Sequence, residues 1–321
     1  MGPNRISSVR TLLFSVGVLA NGARKVLLSY GFTIENNPDD SVMLKLNPPL
    51  DSVREAIRRE QIDLKDDNGI YYLMAGCPTP PTGLLQLFRI MVANEWELEM
   101  LRNYPKRSIM GRNELAAKTQ ILRSLSVKYK NHLILGQAAG EDETKEPTFK
   151  HYATIFRKGQ IEILESAISR LQTEVAELCS LYKLYTIDNL TQPFRRFRWA
   201  IETCFGDSGD QVESGMDQVV YMLAICNILL EHQAGNDLFF ELIGMLLKHY
   251  PIGVEGDEEE EVRIRGLFED VIPAAAGVAP KVFGDKRWSV DLLRWGARVY
   301  QEEVIKVFKD GGEKDFLICA S

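Results

Sequence analysis

A mainly α-helical protein with a small β segment near its N-terminus is the fold class that this sequence predicts. Three observations predict it. Apolar residues recur with a helical period from Tyr152 onward, holding it for about eight turns, or roughly 45 Å at 1.5 Å per residue. Shorter periodic runs on either side are bounded by Asn, Pro and Gly, the residues that start and stop helices. Strand-like patterns are confined to the alternation Val42, Leu44, Leu46 and to the aromatic-apolar segment Ile70-Tyr71-Tyr72-Leu73.

Taken in order, the apolar run Val26-Leu27-Leu28 ends in a Tyr30-Gly31-Phe32 turn. The polar loop Asn36-Asn37-Pro38-Asp39-Asp40 then leads into the half-buried strand at Val42. Taken alone, a Tyr-Gly-Phe between apolar runs is a buried aromatic at a turn, its ring packed and its hydroxyl paired. Asn47-Pro48-Pro49 breaks the pattern, and Asp51 or Ser52 caps a helix carrying Val53, Ile57 and Ile62. Pro78, Pro80 and Pro81 enforce an extended lead into a helix from Thr82 whose face holds Leu84, Leu87, Phe88, Met91 and Leu98. A second helix from Asn113 places Leu115, Thr119, Leu122, Leu125 and Tyr129 together, and an acidic loop, Gly140 to Glu143, follows it.

The long helix, Tyr152 to Leu184, carries Phe156, Ile163, Leu164, Ala167, Ile168, Leu171, Val175, Leu178 and Leu181. Its stripe is expected to meet the helices near Leu84 and Leu115 at once, with Leu171 in the core and Glu174 solvated. Phe194 to Trp199 interleaves arginines with aromatics and reads as a snorkelling helix face, too short for a nucleic-acid footprint. Met216 to Leu230 and Leu238 to Leu247 are core helices around a Gln233-Ala234-Gly235-Asn236 turn. The acidic run Glu255 to Glu261 is a loop or a helix start. A final helix from Trp288 to Lys309 carries Val290, Leu293, Trp295, Val299, Val304 and Phe308, and Gly311-Gly312 releases a short tail.

Composition narrows the function classes. A chain of 321 residues with formal charge −7 and pI near 5.4 lacks the clustered Lys and Arg that a nucleic-acid backbone demands. A basic protein partner suits that sign. Cys77, Cys179, Cys204, Cys226 and Cys319 are scattered, odd in number and without a C-x-x-C pair, which points to a reducing compartment, cytoplasmic or nuclear. The apolar run Thr11 to Ala20 continues into Arg24-Lys25 without a cleavage signal, and no stretch reaches the ~20 apolar residues that span a bilayer. His132, His151, His232 and His249 show no paired spacing, so neither a metal site nor a Ser-His arrangement is expected.

Leu27-Leu28-Ser29-Tyr30-Gly31-Phe32 followed by Asn37-Pro38-Asp39-Asp40-Ser41-Val42 resembles the end of the SET domain in lysine methyltransferases of the Rubisco large-subunit methyltransferase type. The resemblance continues through Tyr72-Leu73, Pro80-Pro81-x-x-Leu84-Leu85-x-x-Phe88-Arg89-Ile90 and Glu97-Leu98, which are similar to the opening of that family's helical substrate-binding domain. Asn113-Glu114-Leu115-Ala116-Ala117 and Tyr152-x-x-x-Phe156-Arg157-x-Gly159-Gln160-x-x-Ile163-Leu164 also resemble its helices. The resemblance implies residues 1–50 as a small β remnant of a SET domain, 51–190 as a multi-helix substrate-binding-type domain and 191–321 as a helical extension. It implies Tyr30 as the catalytic tyrosine, Tyr30 and Phe32 beside the substrate-lysine channel, and S-adenosylmethionine as the family's cofactor.

Ser15-Val16-Gly17 with Asn21 looks like a degraded copy of an earlier family motif, with Val16 in place of its tyrosine. Nothing before it resembles the family's cofactor-binding glycine motif or its Asn-His-x-Cys segment. Methyl transfer needs the sulfonium enclosed and aligned with the lysine nitrogen, so the expectation is weak binding of S-adenosylmethionine by this chain alone. Two functions follow from the resemblance: an inactive protein-interaction module that keeps the substrate-binding helices, or an active S-adenosylmethionine-dependent protein-lysine methyltransferase whose SET core lies outside this chain.

Overall fold

The computed structural model describes residues 27–29, 31–46, 70–104, 108, 111–137, 149–186, 199–200, 203–204, 214–229, 237–253, 258–308 and 314–320. They fall into two compact units, Met1–Leu181 and Tyr182–Ser321. The fold is mainly α with little strand. Tyr30, the segment around Val16, the helix capped at Asp51 or Ser52, the acidic loop at 140–143, the basic segment 194–198 and the turn at 233–236 lie outside the described residues.

In the first unit, β1 (Ser41–Lys45) pairs antiparallel with β2 (Ile70–Met74). The register sets Val42 opposite Leu73 and Leu44 opposite Tyr71, and these four side chains are buried. The alternation therefore puts one face of the ribbon on the core, as a two-residue period requires. A two-stranded ribbon is marginal alone. It is held by packing on α4 (Phe149–Leu181).

Two helices occupy the stretch where the periodicity predicts one. α1 (Thr82–Met91) stops at Val92, and Asn94 starts α2 (Glu95–Asn103) with a complete capping box. The Asn94 side chain accepts from the Glu97 amide while the Glu97 carboxylate accepts from the Asn94 amide, both at 3.0 Å. A cap that satisfies two orphan donors starts a new helix even where the apolar stripe runs on, so Leu98 belongs to α2. α3 (Gly111–Gln137) and α4 form an antiparallel-type pair whose shared core includes Ala117, Ile121, Leu125, Ile163, Leu164, Ala167 and Leu171. Leu84, Leu87 and Phe88 join that cluster, and so do the four buried strand residues. Of the two helices predicted from the stripe, α3, which carries Leu115, is a main neighbour of α4; the β ribbon, rather than the helix at Leu84, is the other. The last turns of α4 lie beyond this core: Leu181 is 75% exposed, and the chain turns at once into β3 (Lys183–Thr186), so Leu184 is in a strand and not in the helix.

The second unit packs α5 (Ser214–Leu229), α6 (Asp237–His249), α7 (Glu258–Gly266), a π-helical segment (Leu267–Val271), α8 (Ile272–Val278), α9 (Pro280–Phe283) and α10 (Val290–Glu303) around one core. α5 and α10 cross closely because Gly296 has no side chain: a Cβ there would sit 2.9 Å from the Val220 carbonyl oxygen. Tyr221, Phe283 and Trp288 form an aromatic cluster with centroids 5.5–6.3 Å apart. The wide π turn, in which the Ile272 amide reaches Leu267 O, precedes Pro273, whose ring cannot follow an ordinary α turn.

The final helix is shorter than its apolar period. It ends at Glu303, and Val304 turns extended to begin β4 (Val304–Phe308), which pairs with β5 (Lys314–Ala320); β5 in turn pairs with β3. The run Val304-Ile305-Lys306-Val307-Phe308 is β-branched and aromatic at four of five positions, and such residues favour a pleated sheet over a helix. The segment read as a short tail is thus the central strand of a three-stranded sheet. Among the described residues no helix is long and apolar enough to cross a membrane.

Candidate functional site

The loop between Gly31 and Asp40 is built from local hydrogen bonds that its sequence dictates. Gly31 and Asn36 have positive φ, 72° and 54°, conformations that glycine and asparagine adopt most readily. Asn37 accepts from the Asp39 amide at 3.1 Å through its side chain, and its amide donates to Asp40 Oδ1 at 3.0 Å. This Asx turn is what Asn-Pro-Asp-Asp favours. The Asp40 carbonyl then accepts from the Ala75 amide at 2.7 Å, carrying the pairing of β1 and β2 one step beyond the ladder.

Three motif residues of α4 grip this loop. Gln160, itself buried, donates from Nε2 to the Ser41 carbonyl at 2.9 Å. Gly159 lets the loop approach: a Cβ there would lie 3.2 Å from Asp40 Oδ2. Tyr152 meets Phe32 edge to face at 6.4 Å, with His151 5.5 Å further along the helix surface. Phe32, predicted beside a substrate channel, is half-buried against the long helix. Tyr30, predicted as its catalytic neighbour, is outside the described residues.

Beside this contact lies a cavity of about 220 Å³ between the loop 34–40, the turn 74–78 and α4. Ile34, Pro38, Met74, Ile155 and Ile163 supply apolar wall; Glu35, Asp40 and Glu162 bring three carboxylates against one ammonium, Lys158. Lys158 Nζ stands 3.7 Å from Glu35 and 3.9 Å from Glu162. S-adenosylmethionine does not fit this cavity. Its volume is below the ~300 Å³ at which pockets for such ligands begin. Among the described residues no group of three or more His, Cys, Asp or Glu side chains is placed to hold a metal ion.

A second polar constellation escaped the periodicity. Arg112 forks onto Glu97, through Nε to Oε1 at 3.0 Å and through Nη2 to Oε2, and also donates to the Val92 carbonyl at 2.8 Å. Arg89 pairs with Glu114 at 2.6–2.7 Å. Asn113 donates to the Arg89 carbonyl at 2.9 Å. Lys118 then links Glu114, at 3.3 Å, to Glu174, at 2.8 Å, and Glu174 also takes Arg170 Nε at 2.7 Å. The array ties α1, α2, α3 and α4 together.

Glu174 is therefore no solvated charge, as its place off the stripe implied: its side chain is 13% exposed. Burial alone pushes its carboxyl up, but Lys118 and Arg170 together outweigh that and hold it below the usual carboxylate range. The Asn94-x-x-Glu97 spacing was a visible capping signal. Pairing across helices, from Arg89 to Glu114 or from Arg112 to Glu97, has no sequence signature. Elsewhere, Glu258 to Glu261 of the acidic run open α7, residues 255–257 lying outside the described residues, and Glu261 is engaged by Arg265 at 3.0 Å and Arg294 at 2.7 Å.

No protein-family model matches the chain, and no solved structure matches it. Among curated proteins it is similar to the ribosomal lysine N-methyltransferase set10 of Schizosaccharomyces pombe, with 25% identity over 316 residues, covering 88% of this chain and 54% of that protein. The chain thus spans about half the length of the curated relative it matches. This distant similarity supports a relationship to SET-type lysine methyltransferases.

Proposed function

We propose that this chain is a methyltransferase-like interaction module, related to lysine methyltransferases of the Rubisco large-subunit type, that holds a basic protein without transferring a methyl group itself. The observation that carries the reading is the acidic cavity where the loop 34–40 meets α4, since it joins two segments that resemble the family and offers them to a cation. The formal charge of −7 agrees in sign. The alternative is an active S-adenosylmethionine-dependent protein-lysine methyltransferase completed by sequence outside this chain. It draws on the relative, a named lysine N-methyltransferase matched over 88% of this chain.

One experiment separates the two. The purified chain is incubated with basic ribosomal proteins and S-adenosylmethionine labelled in its methyl group, and complex formation and label are both followed. The module reading expects a complex, no label on lysine and no micromolar binding of the cofactor by calorimetry. Label on a lysine would overturn it in favour of the enzyme.

A further inference from the structure

We propose that the outer side of the C-terminal half of α3 is a docking face for an acidic amphipathic helix of a partner protein. The proposal goes beyond the reading of a basic partner, since it concerns another surface and a partner segment of opposite sign.

α3 is covered unequally along its length. Every residue from Gly111 to Ala117 is buried, and α1 and α2 are tied to these turns by the pairs of Arg89 with Glu114 and of Arg112 with Glu97. Further on, Ile121 and Leu125, each 1% exposed, face the core shared with α4. The opposite side of these later turns is open among the described residues. Arg123, Val127, Lys130 and Ile134 lie there, all exposed, Val127 at 54% and Ile134 at 64%. Their intervals of four, three and four residues set them in one row, and this is the a and d rhythm of a helix that pairs with another helix.

The row selects its occupant. Val127 and Ile134 are β-branched, which lowers helix propensity on a face turned to water but suits the a positions of a helix pair. Arg123 and Lys130 take the places between them. From Leu115 to Gln137, α3 carries four Lys and Arg and no Asp or Glu, in a chain of formal charge −7. None of these cations is in the last turn, so the helix dipole does not account for them. A second copy laid on the same row would set cation against cation. A helix with carboxylates at those places and apolar side chains between them satisfies both kinds of position. The bases of an RNA strand stack on aromatic rings, which the row lacks, and a membrane surface calls for a broader apolar face than two side chains provide.

The test uses the full chain and two fluorescent peptides of about 21 residues, three heptads. One has Leu at a, Glu at d, e and g, and Ala or Gln elsewhere; the other has the same composition in scrambled order. Anisotropy should show saturable binding of the patterned peptide, about ten-fold or more tighter than the scrambled one. Ile134→Ser, and separately Arg123→Glu with Lys130→Glu, should each weaken it about ten-fold. Val262→Ser, at a valine of the second unit that is 70% exposed, should leave it unchanged. Circular dichroism checks that each variant is folded; should one fail, the peptide comparison and the other variant still decide. Equal binding of the two peptides, or binding indifferent to both variants, would overturn the docking face. So would tighter binding of oligouridylate or of phosphatidylserine vesicles that the same variants lose, which would make the face one for RNA or for a membrane. A concentration-dependent dimer abolished by Ile134→Ser would overturn it in favour of a second copy. None of these results touches the reading of a basic partner, which is tested with ribosomal proteins and labelled cofactor.

Discussion

Replacing Glu174 by Gln should destabilise the first unit by about 2 kcal/mol. The substitution keeps shape and removes one charge. What it removes is set by two contacts: Lys118 Nζ at 2.8 Å, where both side chains are at most 15% exposed, and Arg170 Nε at 2.7 Å, where the arginine is 50% exposed. A sheltered hydrogen bond to a charged group contributes about 1.5–3 kcal/mol, and an exposed i,i+4 pair about 0.3–0.5. Gln retains one acceptor oxygen, which argues for the lower half of that sum. Lys118 would be left with Glu114, which Arg89 already engages. About 2 kcal/mol corresponds to a fall in melting temperature of roughly 4–8 °C for a unit of this size.

The pH dependence has a definite sign. The folded carboxyl lies below its ordinary value of 4.5, so the stabilisation is complete above that value and is lost as pH falls through the lower folded one. Parent and variant should therefore differ fully at pH 7 and converge in acid. Chemical denaturation of the full chain at several pH values measures this, with Arg170→Ala, expected to cost under about 0.5 kcal/mol, as the exposed control. A Glu174→Gln variant as stable as the parent at pH 7 would refute the idea that the Lys118 contact is sheltered enough to matter.

Leu171 is 1% exposed in the α3–α4 core, so Leu171→Asp should unfold the first unit cooperatively, an unpaired buried carboxylate costing several of the ~5–15 kcal/mol a domain possesses; circular dichroism melts check this. Gly296→Ala should destabilise the second unit by about 1–3 kcal/mol, because its Cβ would press on the Val220 carbonyl at 2.9 Å, and urea denaturation should show the loss there and not in the first unit. Thiol alkylation at neutral pH should reach exposed Cys77 first and leave Cys226 untouched until unfolding, since burial shields that thiol and pushes its pKa up to about 12; mass-mapped labelling reads both.

The sequence by itself determined the helical class, the long helix with Ile163, Leu164, Ala167 and Leu171 in its core, the ribbon strand at Val42 and Leu44, and the polar loop at Asn37 that leads into it. Each of these is a matter of period, capping or turn chemistry within about ten residues, and such signals survive without knowledge of the rest of the chain. Even the Asn94–Glu97 capping box was readable, though an uninterrupted apolar stripe argued against the break it makes. Tertiary structure alone decided which charges meet. Arg89 and Glu114 are 25 residues apart, Arg112 and Glu97 are 15 apart, and Gln160 reaches Ser41 across 119. Periodicity places a side chain on a helix face but does not say what the face opposite carries, so Glu174 read as solvated and proved to be sheltered by Lys118. The C-terminal strands follow the same logic in reverse: Val304 to Phe308 continued a helical period, but a partner strand from Lys314 to Ala320 made pairing the better use of a β-branched run.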